Sequence, residues 1–222
     1  MKNLHNALLL KQLYQLKQFG YRYTSITPYQ EEKIDLALPD TLDSLQKQAQ
    51  NCHLCDLSKS RQKVVFGEGN PQADIFIVGE GPGATEDSSG RPFVGRSGEL
   101  LSKMLENVLG LTREEVYISN IVKCRPPSNR VPTPTEAHTC QPYLLKQIAL
   151  IKPKLIVTLG ATAYHYLTGD DTGITKVRGT LHAYENITLI PTYHPSYLLR
   201  NPSAKKEVFE DLLKIKELMK SF

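Results

Sequence analysis

Four short apolar runs rich in β-branched residues, set between stretches of helical character, constrain this chain more than any other feature. They read ADIFIVGE (73–80), VYISNIVKC (116–124), KLIVTLG (154–160) and ITLIPTYH (187–194). Hydrophobicity that runs on without alternating means burial on both faces, the condition of strands in a parallel sheet. Helices are expected over 97–109, 135–151, 161–167 and 204–220. The alternation predicts an α/β fold, a three-layer α/β/α sandwich around a mainly parallel four-stranded sheet.

Open parallel sheets bind ligands in the crevice beyond the carboxyl ends of their strands. Three polar residues fall at or near such ends: Glu80 closes the first run, Asn120 lies late in the second, and His194 closes the fourth just before Pro195. The loop after the first run, GEGPGATEDSSGRPFVG (79–95), carries the glycines of a phosphate cradle but not the lysine. It offers a carboxylate at Glu80 and an aromatic at Phe93 to a crevice shared with an amide and an imidazole. That set suits a planar, hydrogen-bonding ligand better than a phosphate.

Charge is distributed unevenly. The net charge is only +4, yet several loops hold cations and no acids: Arg91 and Arg96; Lys123, Arg125 and Arg130; Lys176 and Arg178; Arg200, Lys205 and Lys206. On one face these would form a footprint for a nucleic-acid backbone. No apolar run approaches the roughly 18 residues of a membrane span, and the first residues, MKNLHNALLLKQ, are too briefly apolar for a secretory signal, so a cytosolic protein is expected.

Residues 1–40 read as an extension of the domain at 41–222. An amphipathic helix is expected over 4–19, with Leu9, Leu13 and Leu16 on one face, then a polar linker punctuated by Pro28 and Pro39, then a short helix over 41–50. The four cysteines, Cys52, Cys55, Cys124 and Cys140, are spaced C-x2-C and C-x15-C. In a cytosolic chain disulfides are not expected, and spacing alone leaves open a structural zinc ion or a four-iron, four-sulfur cluster.

Three stretches, GEGPGATEDSSGRPFVG, YISNIVKCRPPSNRVPTPTE and HPSYLL, resemble in order the motif regions of the family 4 uracil-DNA glycosylases, the iron–sulfur type of that superfamily; the likeness runs from about Cys52 to Leu199. It implies the glycosylase fold and hydrolysis of uracil from DNA. It also implies roles. Phe93 would stack on a flipped uracil, Asn120 would read its Watson–Crick edge, and His194 would hydrogen-bond O2. Glu80 would place or activate the attacking water, while Gly81 and Glu86 would line the pocket. The cysteines would hold a 4Fe–4S cluster of structural role. From the basic loops themselves, Arg91, Arg125, Lys176, Arg178 and Arg200 are expected to contact DNA, and Leu198 or Leu199, just after His194, offers an apolar wedge.

No lysine occupies a pocket position, and Lys123 is expected on the opposite strand face from Asn120, so no lyase step is expected. The loop RPPSNRVPTP lacks the histidine-containing insertion of relatives that trap uracil covalently, so turnover is expected. A monomer is expected. In the extension, Gln15, Leu16 and Phe19 loosely resemble a bacterial sliding-clamp peptide. Two other classes account for less: a non-catalytic DNA-binding module with a cysteine–metal staple has no need of Glu80, Phe93, Asn120 and His194 at strand ends, and a nucleotide-binding enzyme would need the missing lysine.

Overall fold

The computed structural model describes residues 37–222 and, before them, Lys11, Tyr14, Gln15, Lys17, Gln18 and Gly20. The expected helical face of Leu9, Leu13 and Leu16, most of the linker, and Leu16 and Phe19 of the clamp-like peptide lie outside the described residues. The chain divides into two compact units, Met1–Asp35 and Leu36–Phe222, and the fold belongs to the second.

Six strands form one sheet: β1 (Glu68–Gly69), β2 (Ile75–Gly79), β3 (Tyr117–Asn120), β4 (Leu155–Leu159), β5 (His182–Tyr184) and β6 (Ile187–Thr192), in the order β1-β3-β2-β4-β6-β5. The four expected runs supply β2, β3, β4 and β6, all parallel. The expectation of a four-stranded sheet is corrected by β1 and β5, which pair antiparallel at the two edges. Each is too short, and too exposed, to leave a hydrophobic pattern.

Alternation along β2 divides the core. Phe76 and Val78 pack with Leu144, Ile148 and Tyr164 on one face of the sheet, and Ile75 and Ile77 pack with Leu101, Leu212 and Ile215 on the other. The first face is covered by α4 (Pro134–Ile151) and α5 (Ala161–Thr168), the second by α3 (Arg96–Met104), which runs on as a π-helical turn (Leu105–Leu109), and by α8 (Lys205–Met219). Shorter helices are α1 (Leu42–Gln50), α2 (Ala84–Ser89), α6 (Ile174–Val177) and α7 (Pro195–Arg200). α4 starts on a capping box: Glu136 N–H donates to Thr133 Oγ1 at 3.3 Å and Thr133 N–H donates back to Glu136 Oε2 at 2.8 Å. No helix among the described residues is long and apolar enough to cross a membrane.

Register sets the site. Gly79 stands opposite Asn120 across β2 and β3, and Leu159 opposite Thr192 across β4 and β6. The carboxyl ends of all four parallel strands therefore open on one edge. Beyond Asn120 the chain leaves the sheet, but Ile121 N–H still donates to Gly79 O at 2.9 Å and Val122 N–H to Glu80 O at 3.2 Å. Those two bonds tie the start of one site loop to the other.

Candidate active site

A cleft of about 640 Å³ opens at this edge and is lined by, among others, Glu80, Gly81, Glu86, Phe93, Asn120 and His194. All six residues that the sequence places in the pocket thus meet in one cavity. Arg200 and Thr162 also line it.

Asn120 ends β3 with 2 % of its surface exposed, and its Oδ1 has no hydrogen-bond partner among the described residues. A buried acceptor without a donor carries a penalty of about 1–3 kcal/mol, which a ligand N–H would relieve. Space for it comes from Gly79: a Cβ there would lie 2.4 Å from Asn120 Oδ1 and 2.5 Å from Phe93 Cζ. The glycine lets the amide and the ring approach the same point.

Phe93 is buried, and its ring lies 5.6 Å from that of His194, tilted by 34°. Its φ of +52° is left-handed, a conformation that costs an L-residue with a side chain about 1–2 kcal/mol. The strain is held from outside the turn. Arg113 Nη1 donates to Phe93 O at 2.9 Å and Nη2 to Pro92 O at 2.7 Å.

His194 caps α7, where its Nδ1 accepts from Ser196 N–H at 3.1 Å and lies 2.8 Å from Ser196 Oγ. A ring nitrogen that accepts a main-chain N–H carries no proton, so the neutral ring bears it on Nε2. Burial pushes the imidazole down to about 4, with the Arg200 charge acting in the same direction and Glu86 opposing it. At neutral pH the ring is an uncharged donor.

Glu80 follows β2, and its Oε2 accepts from Thr162 Oγ1 at 2.5 Å, near the start of α5. One oxygen is held and Oε1 is left for a ligand or water. Glu86 also lines the cleft, but both its oxygens are engaged by main chain: Oε2 by Gly83 N–H at 3.1 Å, and Oε1 by Val94 N–H at 3.0 Å and Gly95 N–H at 2.8 Å. It closes the 83–95 loop on itself.

The expected DNA contacts sort less evenly. Lys176 and Arg200 are exposed; Arg125 is half-buried, with Nε donating to Asn129 Oδ1 at 2.8 Å. Arg91 is paired with Glu68 at 2.8 Å. Arg178 is turned inward on buried Asp211 at 2.7 Å, its side chain only 17 % exposed, so its charge belongs to the core and not to an outer footprint. Leu198 is likewise corrected: it is 1 % exposed and packs in the core, while Leu199 is 39 % exposed. Lys123, counted above among the basic loops, is buried off the cleft, with Nζ donating to Ser119 Oγ (2.6 Å), Asn120 O (2.7 Å) and Gln147 Oε1 (2.7 Å).

The four cysteines line a second, small cavity. Lys123 N–H donates to Cys140 Sγ and Arg61 Nη1 to Cys124 Sγ, both at 3.3 Å. Burial pushes the Cys140 thiol up to about 12 and raises those of Cys124 and Cys55. Among the described residues, no three His, Cys, Asp or Glu side chains gather as they would around one metal ion.

Sequence reasoning missed Thr162, Ser196 and Arg113. The first two had a faint signal, as hydroxyls just inside the helices that follow a strand end. Arg113 had none, since its partners lie 20, 21 and 45 residues away.

Comparison with known proteins covers both the sheet and the cleft. The sequence profile of the Uracil DNA glycosylase superfamily matches residues 66–214. The Type-4 uracil-DNA glycosylase of Thermotoga maritima is 48% identical over 185 residues, 82% of this chain and 96% of that protein. Those of Sulfurisphaera tokodaii (46% over 187 residues, 81% of this chain and 85% of that protein) and Saccharolobus solfataricus (43% over 190 residues, 82% and 88%) are similar over the same extent. Likeness of this depth, spanning every parallel strand and each loop that supplies the cleft, makes the chain a member of the type-4 uracil-DNA glycosylases within the uracil-DNA glycosylase superfamily.

Proposed function

We propose that this chain removes uracil from DNA by hydrolysing its N-glycosidic bond, with the cleft at the strand ends as the pocket for the flipped base. Kinship with the type-4 enzymes supports the activity. The observation that carries the residue assignment is the buried, unpartnered Oδ1 of Asn120. Uracil presents N3–H beside O4, so one amide side chain can accept from the first and donate to the second; cytosine inverts that pattern. The target must leave the duplex to be read this way, at a cost of a few kcal/mol.

The chemistry follows from what stands around the base. As the C1′–N1 bond lengthens, the sugar gains oxocarbenium character and the uracil gains negative charge, shared by O2. Nε2–H of neutral His194 donates to O2, and the Phe93 face holds the ring. Glu80, anchored through Oε2 by Thr162, uses Oε1 to orient water toward C1′. The water oxygen bonds C1′, its proton passes to the carboxylate, and uracil departs with the electrons of the broken bond. Among the described residues no lysine lines the cleft to form a Schiff base, and the proposed product is an abasic site in an uncut strand. Lys176, Arg125 and Arg200, with Leu199, are the parts that engage the DNA strand, and a single copy acting in the cytosol suffices.

The four cysteines are proposed to hold a 4Fe–4S cluster. They line one cavity without closing to the spacing of a single ion, and two N–H groups point at their sulfurs. Among the described residues no carboxylate is bonded to buried Lys123, and an anionic cluster beside it would supply the countercharge. When bound, such a cluster cross-links the segment before β1 to the chain after β3 and the start of α4. Iron analysis of anaerobically purified protein tests this: about four irons per chain are expected, and one zinc would overturn it.

A duplex carrying a single uracil tests the activity. Alkali-labile cleavage at the uracil after incubation is expected; retention of the duplex without cleavage would favour a binding module instead.

A further inference from the structure

We infer that Arg113 is the positioning residue for the base-stacking ring: it holds Phe93 in its left-handed conformation and so sets where the ring stands over the pocket. This rests on the reading of Phe93 as the stacking residue. Arg113 lies outside the cleft, in the loop between the π-helical turn and β3, and its side chain is 15 % exposed. Its planar fork meets three acceptors: Phe93 O at 2.9 Å, Pro92 O at 2.7 Å and Glu68 Oε1 at 2.5 Å. Glu68 is fixed in turn by β1 and takes Arg91 Nε on its other oxygen at 2.8 Å.

The opposite side of the turn is closed as well. A Cβ on Gly98 would stand 1.8 Å from Phe93 O, so the Phe93 main chain presses directly on the first turns of α3. The peptide is thus gripped between a helix that admits no side chain at that point and a guanidinium that binds two consecutive carbonyls. A turn satisfied only by its own hydrogen bonds would not need the second grip. Phe93 does, because its φ of +52° is one that a β-carbon-bearing residue leaves unless its surroundings hold it. Lysine could not replace the fork, having one nitrogen to serve acceptors that the two terminal nitrogens of Arg113 divide between them.

The test is a double-mutant cycle on the intact chain, read by single-turnover release of uracil from a duplex. Arg113→Gln should slow release about 10–100-fold, since a displacement near 1 Å at a reacting centre has effects of that order. In a Phe93→Ala background the same change should add less than about threefold, because a ring that is gone cannot be misplaced. Inhibition by free uracil should weaken in Arg113→Gln in step with the rate, while affinity for uracil-free duplex stays unchanged. Additive losses would reduce Arg113 to a general structural part and overturn the inference, as would release within about twofold of the parent. Should Arg113→Gln fail to fold, Glu68→Gln loosens the same clamp from its far end and carries the same cycle. If Phe93→Ala itself releases uracil normally, the stacking assignment falls and the inference with it. Normal release by Arg113→Gln alongside an impaired Phe93→Ala removes only the inference.

Discussion

Thr162 Oγ1 donates to Glu80 Oε2 at 2.5 Å, joining the first residue after β2 to the first turn of α5. On the proposed mechanism, this bond would select which carboxylate oxygen faces the sugar. Thr162→Val should therefore slow single-turnover uracil release about tenfold, with DNA affinity unchanged, and Thr162→Ser should restore most of it. Equal rates for the valine and serine variants would remove the hydroxyl from the mechanism.

Asn120→Asp keeps the shape of the side chain proposed to read the base and replaces its donor by a second acceptor. With the side chain buried and Oδ1 lacking a partner among the described residues, a carboxylate facing O4 would set two acceptors against each other. Uracil release should fall by at least about 100-fold, near 3 kcal/mol, with melting behaviour intact. Near-normal release would refute the assignment of Asn120.

His194 gives a pH signature in stability. Its folded value of about 4 lies below the ordinary 6.5, so as pH falls the unfolded chain takes up the proton before the folded one does. Stability is then whole above about 6.5 and declines toward about 4. Between about pH 7 and about pH 5 the parent should lose roughly 2 kcal/mol more in urea unfolding than His194→Gln does. Identical losses would show that the ring is not held neutral. Release of uracil should also lack an acid limb near 6.5, because the donor is uncharged on both sides of that value.

Neighbouring leucines at the end of the HPSYLL motif should behave oppositely. Leu198→Ala empties a core position and should cost about 2–5 kcal/mol of stability. Leu199→Ala should change stability by less than about 0.5 kcal/mol, yet slow release from duplex while sparing single-stranded substrate, where no hole in a base stack has to be filled. Equal slowing on both substrates would argue against a wedge.

The central sheet was legible because β2 and β4 are buried at every position, and two-sided burial writes an uninterrupted apolar run. The edges were not: β1 is two residues ending in a glycine, paired through main chain alone. Within the site, the residues at strand ends could be placed in advance, since strand direction alone decides on which edge Glu80, Asn120 and His194 emerge. What each then bonds could not. Glu86 lines the pocket as expected, but both its oxygens close a loop, and that could not be read in advance because its partners Val94 and Gly95 return to it only beyond the left-handed turn at Phe93. Arg178 looked like a phosphate contact until α8 brought Asp211 beneath it. Leu198 and Leu199 are alike as letters; the phase of α7 buries one and bares the other.

Gly79 separates two things that most buried positions keep together, namely whether a chain survives and whether it works. The atoms a methyl group would strike, Asn120 Oδ1 and Phe93 Cζ, are tips of side chains that can swing aside. Gly79→Ala should therefore yield a folded, soluble protein in which Asn120 and Phe93, the proposed base reader and stacking ring, have been pushed off station. In a saturation scan of β2, selection for abundance should pass alanine at 79, and selection for repair of uracil-bearing DNA should reject it. The flanking Val78, packed in the core with no part in the cleft, should score alike in both screens.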